Sequence, residues 1–375
     1  MTEKRNYMDY SLIFVVIFLL AFGLIMVYSA SSYEASIKFN DSTYYLRSQL
    51  RATILGVVVM IVMAVIDYHL LSKISFLFYL GSLGLIALVM TPLGIERNGA
   101  RRWLNLGMSL QPSEVAKVAL IIFLAVLIVK HQNTVNTFWG MVKMMAVAAV
   151  PAGMVLVITR NMSSAIILMG IAFLMLFVAA KRYTPYVVVA VLGVAGAALV
   201  VYYVWHLSPA EAAEHFRLAR VRAWLEPEEY SSVTSYQTLQ ALYSIGSGGV
   251  FGKGLGQSTQ KLGFVPEAQN DMIFSIICEE LGLFGAMALI FMFLILIWRF
   301  LVVASNAPDL FGSLLVIGVM AHISLQVILN IAVVTNTIPN TGITLPFISY
   351  GGSSVVFLLM EIGMVLGVSR RIRFD

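Results

Sequence analysis

Cysteine is nearly absent. One residue, Cys278, occurs in 375, which excludes an intramolecular disulfide and a thiolate metal cluster. Cys278 lies in an apolar run, where it reads as an inert core thiol. Histidine is sparse as well: five residues are scattered along the chain, and no two have metal-ligand spacing. Charge is scarce, with Asp, Glu, Lys and Arg at 11% against 60% hydrophobic residues. The net charge of +5 is modest. No basic helix with interleaved aromatics is present, so the chain carries no nucleic-acid signature. Strand-like alternation of polar and apolar residues is also missing. Only helices and closed barrels satisfy every backbone polar group in lipid, so helices remain.

What the chain has is long apolar runs and a mean hydropathy of +0.89. No soluble core of this length needs so much apolar surface, so the composition describes an all-α polytopic membrane protein. Runs near 10–30, 52–66, 75–93, 115–130, 137–158, 162–180, 185–205, 271–298, 311–335 and 351–368 give ten spans. The first follows Lys4 and Arg5 and imitates a signal peptide, but it runs about 20 residues and many spans follow. With no internal repeat, linker or low-complexity segment, 1–375 reads as one membrane domain. An even number of spans puts both termini on one side. With the termini inside, the inner loops are roughly twice as dense in Lys and Arg as the outer ones, which favours cytoplasmic termini. The outer face then receives 31–51, 94–114, a long loop 206–270 between spans seven and eight, and 337–352. Long ordered loops are uncommon unless functional.

Four outer segments could carry chemistry. In "PEAQNDMIF", Asp271 stands where loop becomes helix. Desolvation there raises a carboxyl pKa and a nearby cation lowers it, which suits a general base; an N-cap role for Asn270 or Asp271 competes. Glu267 shapes the cleft mouth or is a solvated loop acid. Glu279 and Glu280 lie deeper and point about 100° apart, so one partner cannot serve both. One faces a polar cleft, or a structural ion pair holds it. In "NGARRWLNLGMSLQPSEVAK", the Arg101 and Arg102 guanidiniums suit diphosphate oxygens, while headgroup anchoring with Trp103 is the bland alternative. Glu114 and Lys117 share a helix face and can pair. "SIGSGGVFGKGLGQSTQK" resembles a nucleotide loop but lacks the preceding strand and the Walker lysine. It reads as flexible backbone able to approach phosphate or sugar, flanked by Lys253 and Lys261. "PNTGITLPFISYGGSS" includes Ser349, Gly351, Gly352 and Ser353. Irregular backbone at the membrane edge needs protein or a watery cavity beside it, so this segment should line the same cleft.

"GLIMVYSAS", "NGARRWLNLGMSLQPSEVAK", the stretch from "YQTLQALYSIGSGG" through "EELGLFG" and "TGITLPFISYGGSS" together resemble the SEDS family (shape, elongation, division and sporulation proteins). The match covers nearly the whole chain in order. Within the family, "MVYSAS" and "GLGQSTQK" look more like the division branch than the elongation branch. The resemblance implies a peptidoglycan glycosyltransferase that polymerises lipid II at the outer face of the bacterial cytoplasmic membrane. It implies a class B penicillin-binding transpeptidase as partner, and for the division branch a place among divisome proteins at the septum. Asp271 matches the family's essential aspartate in Pro-Glu-x-x-x-Asp, and Glu114 and Lys117 match the pair after Gln-Pro-Ser. One departure stands out: many members carry Pro-Asp-Leu-Gly-Thr between spans five and six, where this chain has "TRNMSSA", so that turn offers no aspartate.

The implied chemistry has an acceptor hydroxyl lose its proton to Asp271 as it attacks an anomeric carbon. Arg101, Arg102 or a divalent cation such as magnesium would stabilise the departing diphosphate. No cofactor follows from the residues themselves. Lys261, Glu267, Trp103 and the Ser349–Ser353 segment are the supporting candidates. An elongation polymerase, a flippase for the same lipid and a non-catalytic scaffold are the competing readings.

Overall fold

A computed structural model describes residues 8–97, 100–105, 109–207, 216–228 and 235–372. The chain begins with α1 (Tyr10–Phe39), α2 (Tyr44–Val65) and α3 (His69–Leu88). A small sheet follows, β1 (Gly94–Arg97), β2 (Ala100–Asn105) and β3 (Ser109–Leu110). Next come α4 (Pro112–Lys130), α5 (Gln132–Val135), α6 (Phe138–Ile158), α7 (Met162–Ala179) and α8 (Thr184–His206). The long loop contributes α9 (Phe216–Leu225) and α10 (Tyr236–Gly248). The chain closes with α11 (Ile273–Ser305), α12 (Leu310–Val334) and α13 (Gly352–Ser369). Among the described residues, ten of these helices are long and apolar enough to cross a membrane. The spans expected from hydropathy are all present.

Local chemistry sets several boundaries. Asp9, Thr137, Asn161 and Asp309 each accept a backbone N–H of the first turn of α1, α6, α7 and α12, satisfying donors that a helix start leaves open. Pro112 opens α4, where its missing N–H costs nothing. The hub is α4, α12 and α13, which are mostly buried, whereas α8 is almost wholly exposed and stands outermost.

Contacts define one end of the bundle. Arg299 near the end of α11 grips Asp9 at 2.6 Å. At the first residue of α3, His69 places Nδ1 at 2.8 Å from Asp67 and Nε2 at 3.1 Å from Asp309. Arg371, just past α13, lies 3.6 Å from Asp67. The first and last described spans therefore leave the bundle at the same end. The sheet, α9, α10 and the segment 335–351 gather at the other.

Two expectations are corrected here. The first loop is short: α1 runs on to Phe39 and α2 starts at Tyr44, because polar residues near a span end keep helical geometry once they clear the lipid. The loop 94–114 is no plain coil but an antiparallel sheet in the order β1-β2-β3. Its strands are too short for alternation to register in the sequence.

A third feature was invisible to hydropathy. α11 is broken at Gly282, with φ 68° and ψ −168°. The loop after α10 plugs the break: Lys253 and Gly254 donate their N–H groups to the Glu279 and Glu280 carbonyls at 2.9 Å. The Leu283 and Phe284 N–H groups reach the Gly249 and Val250 carbonyls at 2.9 and 3.1 Å. Irregular backbone inside a span is tolerated only when protein satisfies it in this way. The long loop thus enters the bundle beside α11 before returning to Asp271.

Candidate functional site

Asp271 stands just before α11. Met272 is the N-cap there, and no side chain makes a capping bond, so the capping alternative does not hold. The carboxylate is partly buried. Gln237 on α10 donates from Nε2 to Oδ1 at 3.3 Å. Asn330 on α12 donates to the Asp271 carbonyl at 2.8 Å and to the Ile343 carbonyl at 2.6 Å. That one amide ties the start of α11 to the segment after α12. Gly342 lies against the other carboxylate oxygen: a Cβ there would sit 3.6 Å from Oδ2. Burial lifts the Asp271 carboxyl from 3.8 to about 7, aided by the Glu267 charge and opposed by its own backbone N–H, the Gln237 hydrogen bond and the Arg220 charge. Such a group changes protonation near neutrality and can accept a proton there.

Glu267 is exposed and accepts a hydrogen bond from Asn270. It has a φ of 54°, a left-handed conformation that turns the loop back toward α11. The sequence left Glu267 between shaping the cleft mouth and a solvated loop acid; in the structure it is solvated and its charge acts on Asp271.

The two adjacent arginines diverge, because successive side chains on a strand point to opposite faces. Arg101 faces solvent, 3.4 Å from Glu96. Arg102 reaches the α6–α7 turn, donating to the Thr159 and Arg160 carbonyls, each at 3.2 Å. Burial and the neighbouring Arg220 charge lower the Arg102 pKa, so these two guanidiniums lie within electrostatic reach of each other. Arg220 in turn attracts Asp271. Trp103 is half-buried and pairs with Ile95 across the sheet. The departed turn "TRNMSSA" therefore supplies carbonyls to Arg102 in place of a carboxylate.

Glu114 and Lys117 pair at 2.7 Å on α4, with both side chains buried. Ser354 at the start of α13 donates to Glu114 at 3.3 Å. Nearby, His322 and Glu361 pair at 2.8 Å, fully inside the bundle. Burying charges costs several kcal/mol unless they are paired, and here each has a partner on a facing or adjacent turn.

Lys261 does not reach the cleft. Its ammonium is buried on Glu280 at 2.7 Å and on Ser29 at 2.9 Å. Lys253 holds Glu279 at 2.6 Å, and Ser244, Ser258 and Thr259 also donate to that carboxylate. Both deep glutamates are thus ion-paired, each with its own lysine, and neither opens to a cleft. The last segment divides similarly. Thr341 and Gly342 meet the α7 start and Asp271. Ser349 accepts the Leu345 N–H at 2.7 Å and its carbonyl accepts from Gln49. Gly351 donates to Gln49 at 3.1 Å. Those two residues hold α2 and do not line the cleft; Gly352 and Ser353 are half-buried at the start of α13.

The residue-by-residue reading missed Arg220, Gln237 and Asn340. Gln237 and Asn340 stood inside quoted motifs but carry no charge to mark them. Arg220 stood in "FRLARVRAWL", whose arginine spacing was the available signal. A divalent cation would need several oxygen ligands. Among the described residues no group of three His, Cys, Asp or Glu gathers to hold one, so no step below is routed through a metal.

A multi-span helical membrane protein with one tunable carboxylate and two guanidiniums at a membrane boundary is the class these features define. A family model described as "Cell cycle protein", joining FtsW, RodA and SpoVE, matches residues 10–373. The chain belongs to that family, the SEDS proteins. It is 38% identical to stage V sporulation protein E of Bacillus subtilis, covering 100% of both chains. It is also 38% identical to the probable peptidoglycan glycosyltransferase FtsW of Trichlorobacter lovleyi, covering 96% of this chain and 93% of that one. A solved chain from work titled "Structural coordination of polymerization and crosslinking by a peptidoglycan synthase complex" matches with a TM-score of 0.78 at 27% identity, covering 98% and 99%. Rod shape determining protein RodA of Thermus thermophilus matches at 0.67 and 25% identity, covering 98% of each.

Proposed function

We propose that this chain is a peptidoglycan glycosyltransferase that polymerises lipid II, with Asp271 as general base. The observation that carries the reading is the Asp271 carboxylate: lifted to about 7, held at a span boundary, and within reach of the Arg220 charge, with Arg102 behind it. In the reaction, an acceptor sugar hydroxyl attacks the anomeric carbon of a lipid-linked donor. The new glycosidic bond forms as the bond to the diphosphate oxygen breaks. The hydroxyl proton passes to Asp271, and the bond electrons leave with the diphosphate. Arg102 and Arg220 are suited to the charge that gathers there. Lipid tails keep donor and acceptor at one depth, which shortens the orientational search. Purified protein with lipid II tests the reading. Glycan chains should form with wild type and not with Asp271→Asn. Transport without polymer would favour a flippase instead.

We assign the Asp271 end to the outer face of the cytoplasmic membrane, supported by the denser basic residues of the opposite loops. Gln257→Cys should label with an impermeant thiol reagent in intact cells and Lys181→Cys only after permeabilisation. The reverse pattern would invert the assignment. The partner is a class B penicillin-binding transpeptidase, a reading supported by the structural relative from a synthase complex. The cellular role is septal wall synthesis during division, supported by the relatives named FtsW and by "MVYSAS" and "GLGQSTQK". Depletion should block septation while cells keep their shape. Loss of rod shape, or a defect confined to spores, would move the role to another branch.

A further inference from the structure

Hydrogen bonds of fixed direction converge on the Asp271 carboxylate. A backbone N–H can only donate. The Gly342 N–H donates to Asn340 Oδ1 at 3.1 Å, which makes the other end of that amide the donor. It reaches Gln237 Oε1 at 3.0 Å. The Gln237 amide is oriented in turn: its Nε2 points at two acceptors, the Pro266 carbonyl and Asp271 Oδ1, each at 3.3 Å. Flipping either amide would set donor against donor and acceptor against acceptor. The relay therefore has one polarity, running from a backbone amide to the carboxylate. Arg220 on α9 steadies it, with Nη1 at 3.4 Å from the Asn340 carbonyl.

The two carboxylate oxygens are left unequal. Oδ1 is engaged by Gln237. Oδ2 has no side-chain donor among the described residues and lies over Gly342, whose φ of 68° brings backbone without a side chain against it. Asn330 already anchors the Asp271 main chain. The remaining freedom, rotation of the carboxylate, is what Gln237 restrains.

We propose that Gln237 is a positioning residue for the reaction: it holds Oδ1 so that Oδ2 faces the acceptor hydroxyl, and Asn340 sets its direction. This rests on the reading of Asp271 as the base. The charged groups facing Asp271 are Glu267 from its own loop and Arg220 from α9, with Arg102 of β2 behind Arg220. The neighbour contributed by α12, Asn330, is neutral. A hydrogen bond to a carboxylate favours its charged form, so Gln237 also keeps the base ionised at lower pH.

The test is the pH profile of glycan formation from lipid II by purified wild type, Gln237→Leu, Asn340→Ala and Asp271→Asn. For Gln237→Leu the acid limb should move up by about half a pH unit and the plateau should fall. Asn340→Ala, which leaves Gln237 in place but undirected, should shift the limb the same way by less. Asp271→Asn should be inactive throughout. Acid limbs unmoved in both relay variants, whatever their plateaus, would overturn the positioning role and leave the base reading standing. Polymerisation by Asp271→Asn near the wild-type rate would instead remove the base reading itself. Where Gln237→Leu does not fold, Asn340→Ala carries the comparison.

Discussion

Glu280 and Lys261 close a buried ion pair, Oε1 to Nζ at 2.7 Å, across 19 residues of chain. The carboxylate belongs to a membrane span and the ammonium to the loop that plugs the break in that span. Ser29 of α1 donates to both carboxylate oxygens, at 2.7 and 2.8 Å. Together with Glu279 and Lys253, this pair pins the loop that leads to Asp271. The stability of the loop and the placement of the carboxylate are therefore linked.

Lys261→Met strands a buried carboxylate, a loss on the order of 3–5 kcal/mol. Its melting temperature in detergent should fall sharply. Lys261→Met combined with Glu280→Met removes both charges and should recover most of the loss. A Lys261→Met protein of normal stability but weakened lipid II binding would return Lys261 to a ligand role.

The same logic applies to Glu114 and Lys117. Glu114→Ala leaves Lys117 unpaired inside the bundle and should lower both folded yield and polymerisation. The swap Glu114→Lys with Lys117→Glu should recover part of each, because the pair shares one helix face. Unchanged yield and activity in both single variants would make the pair dispensable.

Arg102→Ala and Arg220→Ala should raise the lipid II concentration needed for half-maximal rate about tenfold or more, since charge-assisted bonds are worth roughly 1.5–3 kcal/mol. Melting temperature should change little for Arg220→Ala. Arg101→Ala should be close to neutral, because that side chain is solvent-facing on Glu96. Equal dependence on Arg101 and Arg102 would contradict the divergence of their side chains.

Activity should rise with pH through about 7, where Asp271 ionises. Glu267→Gln removes a repelling charge, so its acid limb should move to lower pH. The stability effect has the opposite sense. A carboxyl whose folded pKa is raised binds protons more tightly when folded, so this group's contribution declines as pH rises from about 4 toward 7. A Glu267→Gln profile that coincides with wild type would show that Glu267 does not act on the base.

Gly282→Ala should fail to fold. Its φ of 68° suits glycine, and a Cβ there would meet the Gly252 nitrogen at 2.3 Å. Normal folding would mean the break in α11 can be closed without the loop.

The chain's own hydropathy marked the ten spans, and their even number puts the start of the first and the end of the last on one side. Hydrophobic length is a local property, and the bilayer admits few alternatives. The sequence also marked Asp271, since a carboxylate at a span boundary is costly enough to notice, and it put Glu114 and Lys117 on one face by spacing alone. Tertiary structure decided the rest. Whether Lys261 served a substrate or Glu280 depended on a loop entering the bundle, which hydropathy cannot register. Arg101 and Arg102 parted because a short sheet sent them to opposite faces. Gln237 reached Asp271, and Asn340 reached Gln237, only when three distant segments met. Neutral amides leave no periodic or electrostatic trace in a sequence, because a hydrogen bond's direction exists only once both partners are in place.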